Sequence, residues 1–338
     1  MNENEGLLMI ISKALKGGFC FSVLVAFCLS FIVGCQMCSF LSQPPPPPGM
    51  VAIPAGTNKG IDPDCGAYSL TVEAFFMDAT EVTKAKWEEV YSWALTNGYS
   101  FAHAGAGKTA NHPVQTVNWY DCVKWCNARS QKEGRMPCYL VGENVYMTGQ
   151  REPDFSFAVN GYRLPMAVEW EYAARGGLRG KRFPWGDIID HTKANYLCWE
   201  SRFTYDKGYQ GYDKRFRDYK KPYTSPAGMF AANGYGLYDM AGNVWEWCND
   251  TSGHFRYDMA GNVWKWCNDA SVLNRTVRGG CWNNDADIAR CRGTFCMGAP
   301  VIAHYNYGFR TVCRYGTRNK RGSGRNPTQV IERLDEGK

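Results

Sequence analysis

The sequence predicts a loop-rich α+β domain with few helices and small sheets. Three observations predict it. Aromatics make up 14% of the 338 residues, with 12 Trp beside 36 Gly, a composition that suits a packed core threaded by turns and not a disordered chain. Apolar residues at helical spacing are confined to three short stretches of the first half. Beyond Gly177, turns, single aromatics and short apolar runs dominate as far as Arg314.

The first element is not part of that domain. Lys13 and Lys16 precede an apolar run from Phe19 to Val33, too short for a confident membrane span and the right length for a secretory signal. It ends in Ile32-Val33-Gly34-Cys35, which resembles the lipobox of bacterial lipoproteins. The resemblance implies a signal peptide over 1–34, cleavage before Cys35 and lipidation of that residue. Met9 is a second candidate start. Cleavage there removes Cys20 and Cys28 and leaves 13 of the 15 cysteines. Their spacing is irregular, so no disulfide connectivity follows from sequence. Pro44 to Pro48 then form a stiff polyproline spacer, so 35–49 reads as a lipidated linker. The expectation is an exported lipoprotein of the outer membrane or cell surface, with the lipid bilayer as partner through Cys35. The net charge of +6 is concentrated at the C-terminus, in Arg314, Arg318, Lys320, Arg321 and Arg325. No nucleic-acid-binding motif accompanies it, so 316–338 reads as a solvated basic tail with no nucleic-acid partner.

The folded domain is expected over 50–315. Met50 to Gly56 reads as a strand closed by a turn. Phe75 to Thr83 reads as a strand leading into a helix over Lys84–Leu95, with Thr83 as its N-cap. Asn118-Trp119-Tyr120-Asp121 opens a second helix, Cys122 to Gly134, with an incomplete apolar stripe at Val123, Cys126 and Ala128. Gly161-Tyr162-Arg163-Leu164-Pro165 precedes a short third helix, Val168 to Arg175, stopped by Gly176-Gly177.

Several strings follow in a distinctive order: Gly161 to Pro165, Glu169-Trp170-Glu171-Tyr172-Ala173-Ala174-Arg175-Gly176-Gly177, Phe183-Pro184-Trp185-Gly186-Asp187, Asn233 to Trp247, Val277-Arg278-Gly279-Gly280 and Gly308-Phe309-Arg310. In that order they resemble the formylglycine-generating enzyme family, the sulfatase-modifying factors. The resemblance implies one domain with a C-type-lectin-like fold of the formylglycine-generating-enzyme type, with small twisted sheets and much ordered loop.

One string occurs twice. YDMAGNVWEWCND, Tyr238 to Asp250, recurs as YDMAGNVWKWCND, Tyr257 to Asp269, with Lys265 in place of Glu246. Calcium takes carboxylate and carbonyl oxygens. The resemblance implies a structural calcium here, held by the side chains of Asp239 and Glu246 and the carbonyls of Gly242 and Val244. An ammonium cannot ligate a cation, so the second copy is expected to be a tandem duplication filling a loop. A second family calcium site would use Asn195 and the carbonyl of Tyr196, but its acidic partner, with Asp218 the candidate, is out of alignment.

The family's oxidases use two cysteines five positions apart after the Gly-Gly pair. Counting from Gly280, those positions hold Asn284 and Ala289; counting back from Gly308, Trp282 and Asp287. Cys291 and Cys296 have the right mutual spacing and lie several residues too far along. Thiolate-bound metal chemistry needs those thiolates, so no catalytic residue and neither copper nor iron is expected. The five histidines show no paired ligand spacing, and the close histidine motif of iron-binding relatives is absent. Gly105-Ala106-Gly107-Lys108-Thr109 imitates the end of a phosphate loop without the first glycine or the strand-to-helix frame. Cys122 and Cys126, one turn apart, read as buried helix positions.

Asn283 to Tyr307 contains no Lys, Glu, Gln or Trp and one Met, and it has no period. Randomised AAY codons give NNY residues, which exclude those types. This segment, with fixed strings on both sides, resembles the targets of diversity-generating retroelements, a group that includes variable lipoproteins of treponemes. The resemblance implies a variable region over about 281–307 that binds a protein or glycan ligand without catalysis. The candidate ligand-binding residues are Asn284, Asp285, Asp287, Ile288, Phe295, Val301, Ile302, Ala303, His304, Tyr305 and Tyr307. The alternatives are a sulfatase-modifying oxidoreductase acting on a substrate cysteine and an envelope-associated structural module.

Overall fold

The computed structural model describes residues 45–199, 202–251, 274–293 and 298–315, with backbone alone at 256–257, 263–264 and 297. Every element below belongs to the unit Pro47–Lys338. Cys35, Phe295, Cys296, most of the second copy of the repeated string and the basic tail lie outside the described residues.

Strands β1 (Met50–Ile53), β2 (Gly56–Asp62), β3 (Gly66–Val72) and β4 (Phe75–Asp78) open the domain. β2 and β3 form a hairpin in register from Gly56 opposite Val72 to Asp62 opposite Gly66. Helix α1 (Lys84–Thr96) begins where Thr83 accepts a hydrogen bond from the Lys86 N–H at 3.2 Å, satisfying one of the first-turn donors. Its buried residues, Trp87, Val90 and Ala94, fall on one stripe.

Helix α2 spans Trp119–Lys132 and starts three residues earlier than the apolar stripe suggested. The Asn118 side chain caps it, accepting from the Asp121 N–H at 2.8 Å. Trp119 through Ser130 are buried without a break, so no amphipathic stripe exists to be read. The polar members have dedicated partners. Lys124 donates to the carbonyls of Ser100 and Gly149 at 2.6 and 3.1 Å, and Asn127 donates to those of Tyr139 and Tyr146. Arg129 meets Asp78 at 3.0 Å.

Strands β5 (Tyr139–Val141), β6 (Asn144–Val145) and β7 (Asp154–Phe155) form a small sheet with β5 central. Helix α3 (Ala167–Ala174) ends before Gly176 and Gly177, at φ 55° and 86°, the left-handed stop its sequence advertises. Short pairs β8 (Leu197–Cys198) with β9 (Gly211–Tyr212), and β11 (Arg256–Tyr257) with β12 (Val263–Trp264), punctuate the loops around β10 (Trp245–Thr251). The last strands are β13 (Arg275–Arg278), β14 (Met297–Gly298), β15 (Tyr307–Gly308) and β16 (Val312–Arg314).

Two sheets organise the body. In one, β4 lies between β1 and β16, antiparallel to both. In the other the order is β14-β13-β10-β15, with β10 antiparallel to β13 and parallel to β15. The main core is aromatic: Trp87 stacks on Trp125 at 5.9 Å and Phe309 meets Trp125 edge-on at 5.3 Å, a geometry favoured by the ring quadrupoles. This is the loop-rich α+β architecture the sequence predicts. No helix among the described residues is long and apolar enough to cross a membrane.

Candidate ligand-binding face

The site is built on the first copy of the repeated string. Asp239, Gly242 and Asn243 take φ of 54°, 80° and 62°, which bends the chain into the start of β10. Gly242 is required there, because a Cβ would collide with the carbonyl of Asn195. Asn243 donates to Glu81 at 2.8 Å and accepts from the Ser225 N–H at 2.9 Å. Trp247 donates its indole N–H to the Val117 carbonyl at 3.1 Å. β10 is therefore fixed to the N-terminal end of α2 before any candidate residue appears.

Glu246, an expected calcium ligand, is held by a buried arginine in this structure. Both of its oxygens accept from Arg310 at 2.7 Å, and one also accepts from the Trp170 indole N–H at 2.8 Å. Glu246 and Arg310 are each fully buried. The Glu246 carboxylate is thus paired with a guanidinium in a fork geometry. Among the described residues no three His, Cys, Asp or Glu side chains converge in a way that could hold a metal. Asp239 is the part that would suit a cation. Its Oδ2 accepts from the Gly228 N–H at 2.5 Å, and its Oδ1 is buried without a partner. Burial pushes its pKa up to about 6. Glu81 is likewise raised, by burial and by its neighbours Asp239 and Glu246.

Two loops carry the candidate residues. The first leaves β13 through Gly279 and Gly280, at φ 89° and 73°. Asn284 is held by its carbonyl, which accepts from the Leu197 N–H at 2.9 Å. Asp285 pairs with Arg202, and the Asp287 carbonyl accepts from Arg290 at 2.6 Å. The second loop runs from Pro300 to Tyr307. Its backbone carbonyls at Pro300, His304 and Asn306 accept from the N–H groups of Trp119, Thr116 and Trp245, at 3.1, 3.0 and 2.7 Å.

Trp282 joins the loops. Its fully buried ring contacts Tyr305 at 5.9 Å, Tyr212 at 5.5 Å and Tyr223 at 5.0 Å. His304 packs on Tyr305 at 4.0 Å and Tyr307 on Trp247 at 4.9 Å. Of the candidate residues, Asn284, Asp285, Asp287, Ile288, Ala303, His304, Tyr305 and Tyr307 are partly exposed, and Val301 and Ile302 are 52% and 48% exposed. Ile288, Tyr305 and Tyr307 lean on the main core. The sequence pattern did not single out Tyr212, Tyr223 or Arg202. They lie in aperiodic loop, and only their aromatic or basic character marks them.

The thiols nearest the Gly-Gly pair are poorly placed for oxidation chemistry. Cys281 is buried and donates to Asn284 Oδ1 at 2.8 Å, and burial pushes its pKa up to about 12. Cys291 belongs to a different core cluster from Cys281, and burial raises it too. Cys122 and Cys126 are buried on α2. The glycines of the 105–109 string serve packing. A Cβ at Gly105 would strike the Trp87 ring and one at Gly107 the Lys84 side chain.

Residues 39–256 and 251–315 match the family described as sulfatase-modifying factor enzyme 1-like domain. The two matches meet at the duplication, and each takes one copy of the string. The chain is 35% identical over 227 residues to the formylglycine-generating enzyme of Mus musculus, covering 60% of this chain and 58% of that one. It is 37% identical over 300 residues to the Mus musculus protein named inactive C-alpha-formylglycine-generating enzyme 2, covering 80% and 87%. The formylglycine-generating enzymes it matches are spanned over 50% to 59% of their length. The solved structure of Treponema denticola variable protein 1 superposes with a TM-score of 0.56 at 26% identity, over 78% of this chain and 94% of that one. With its motifs in order, its C-type-lectin-like fold and matches across nearly all of 39–315, the chain belongs to the sulfatase-modifying factor enzyme 1-like domain family.

Proposed function

We infer that this chain is a surface-anchored lipoprotein that binds a ligand through a diversified C-terminal face, without catalysis. The observation that carries the reading is how the two candidate loops are held. Their backbone carbonyls, at Asn284, Pro300, His304 and Asn306, accept from N–H groups of the scaffold. Backbone bonds of this kind are indifferent to side-chain identity, so the residues they display can change while the loop path stays. Rigid aromatics such as Tyr305 and Tyr307 lose little entropy on binding, and the exposed pair Val301 and Ile302 offers apolar contact of the kind that marks interaction surfaces. The likeness in fold to Treponema denticola variable protein 1 supports the same reading.

A competing reading comes from the 35% identity to a formylglycine-generating enzyme: oxidation of a substrate cysteine. That chemistry needs accessible thiolates, and the buried Cys281 and Cys291 argue against it. Sequencing the locus in related isolates tests the binding reading. Substitutions concentrated between 281 and 307 at Asn-codon positions are expected; an even spread over 50–315 would sink it. Formylglycine formation on a sulfatase peptide, lost in Cys281, Cys291 or Cys296 variants, would establish the enzyme instead.

A further inference from the structure

A second site lies outside the diversified loops. The 107–109 segment and the 218–222 loop enclose a cleft of about 450 Å³, lined by Lys108, Thr109, Gln115, Asp218, Lys220 and Lys221. This volume is within the range of small-molecule sites, roughly 300–1,000 Å³, and far more than a free inorganic anion fills.

The charge in the cleft is unbalanced. Asp218 is already committed: it accepts from Lys108 Nζ at 2.9 Å and from the Lys220 backbone N–H at 3.1 Å. The exposed ammonium groups of Lys220 and Lys221 have no carboxylate partner among the described residues. The surrounding loop, Asp213-Lys214-Arg215-Phe216-Arg217-Asp218-Tyr219-Lys220-Lys221, adds three more cations. Arg215 consumes Asp213, while Lys214 and Arg217 rest over the rings of Tyr209 and Tyr219. Crowding like charges costs stability unless an anion offsets it. Tyr219 is 81% exposed at φ 62°, a strained placement for a bulky residue that carries the Arg217 guanidinium on its ring beside Lys220.

We propose that this cleft binds an acidic saccharide. The Thr109 hydroxyl, which donates to Asn111 at 2.6 Å, keeps lone pairs to accept from a sugar hydroxyl, the backbone of Gly107 lies in the lining, and Lys220 and Lys221 provide charge for sulfate or carboxylate groups. Pro222 is the one apolar side chain of the lining, which disfavours an apolar ligand. No aromatic side chain lines the cleft, which disfavours a nucleotide, since bases bind by stacking. Two lining residues are chain neighbours of residues that touch the candidate loops. Gln115 precedes Thr116, whose N–H holds the His304 carbonyl, and Pro222 precedes Tyr223, whose ring packs on Trp282. The site stands whether or not residues 281–307 are diversified.

The test is titration of the full exported chain with a heparin tetrasaccharide, a hyaluronan tetrasaccharide and a single-stranded oligonucleotide of matched charge. Binding of the sulfated probe alone assigns sulfate. Binding of both saccharides assigns acidic sugars generally. In either case Lys220→Glu with Lys221→Glu weakens binding by at least about tenfold, as expected for loss of two charge-assisted contacts, and Lys214→Glu, outside the lining, leaves it unchanged. No binding of either saccharide would overturn the proposal. So would equal binding of the oligonucleotide, indifference to the double substitution, or an equal effect of Lys214→Glu. Both lysines are exposed, so the variants keep the fold, and an unchanged thermal midpoint verifies it.

Discussion

Arg310 and Glu246 are both out of contact with water, and each is worth little without the other. Removing one member of a buried pair leaves an uncompensated charge and costs about 3–5 kcal/mol. Glu246→Gln keeps the volume and an acceptor for Trp170 but leaves Arg310 facing only Glu81 and Asp239. It is expected to lower unfolding stability by about 3 kcal/mol, near the bottom of that range because those two acids offset part of the loss. Denaturant melts with and without a chelator check it, and the same drop is expected in both. If chelation lowers the midpoint of the natural chain and has no effect on the variant, Glu246 holds a cation after all. The pair also explains the charge reversal in the second copy. Lys265 at this position would set two cations together in the core, so only the first copy can serve as β10. From sequence the string stood out because it is rare and repeated, but Arg310 lies 64 positions further on and nothing local announces it. Cys281 gives a second residue-scale prediction. With its pKa pushed up to about 12 by burial, roughly one part in ten thousand is thiolate at about pH 8. Iodoacetamide should therefore leave Cys281 unmodified in the native chain and label it in denaturant, as read by peptide mass spectrometry. Rapid native labelling would contradict the buried assignment and revive the oxidase reading.

Elements whose ends carry side-chain caps were legible, and elements whose inward faces are polar were not. Thr83 located the start of α1 because a capping oxygen has a local, fixed offset from the N–H it serves, whereas α2 begins three residues before the stretch read as helix, at the Asn118 cap. The β2–β3 hairpin escaped for the opposite reason. The inward residues of β2 are Asn58 and Asp62, so its alternation does not appear as apolar against polar. Asn58 is buried because it donates to the Leu178 carbonyl and accepts from Tyr68, and Asp62 because it meets Arg175. Two of these partners, Leu178 and Arg175, lie 120 and 113 positions away in sequence. α2 shows the same effect in a helix, with Asp121, Lys124, Asn127 and Arg129 all inside. The N-terminal end of α2 also bears on function, since Asn118 reaches the Val301 carbonyl at 3.4 Å and Trp119 holds that of Pro300. Asn118→Ala is expected to cost about 1 kcal/mol, as lost caps do, and to speed amide hydrogen exchange across 300–304. Thr83→Ala should cost a similar amount and leave exchange in that loop unchanged. Equal exchange in the two variants would mean that α2 does not set the loop.

At the scale of the whole molecule the scaffold and the face are separable by construction. The order of motifs from Gly161 to Arg310 was enough to identify the family and its fold, because scaffold residues such as Gly242, Trp247 and Arg310 admit few substitutes. The face was legible only as a missing pattern. The segment has no period in sequence, so sequence could mark its limits and not its geometry. Nor could it show Tyr212 and Tyr223 flanking Trp282, since they come from a loop far from the segment in the chain. This division makes a stability prediction that needs no knowledge of the ligand. Replacing Val301, Ile302 and His304 together by Ser removes exposed or part-exposed groups from loops whose backbone bonds remain. Surface changes of this kind usually stay within ±0.5 kcal/mol each, so the triple variant should unfold within about 1.5 kcal/mol of the natural chain. Trp282→Ala, a fully buried ring between the loops, should cost about 3–5 kcal/mol. Equilibrium denaturation of both variants decides it. If the triple variant loses as much as Trp282→Ala, the candidate loops are core and not face, and a diversified surface cannot be built on them.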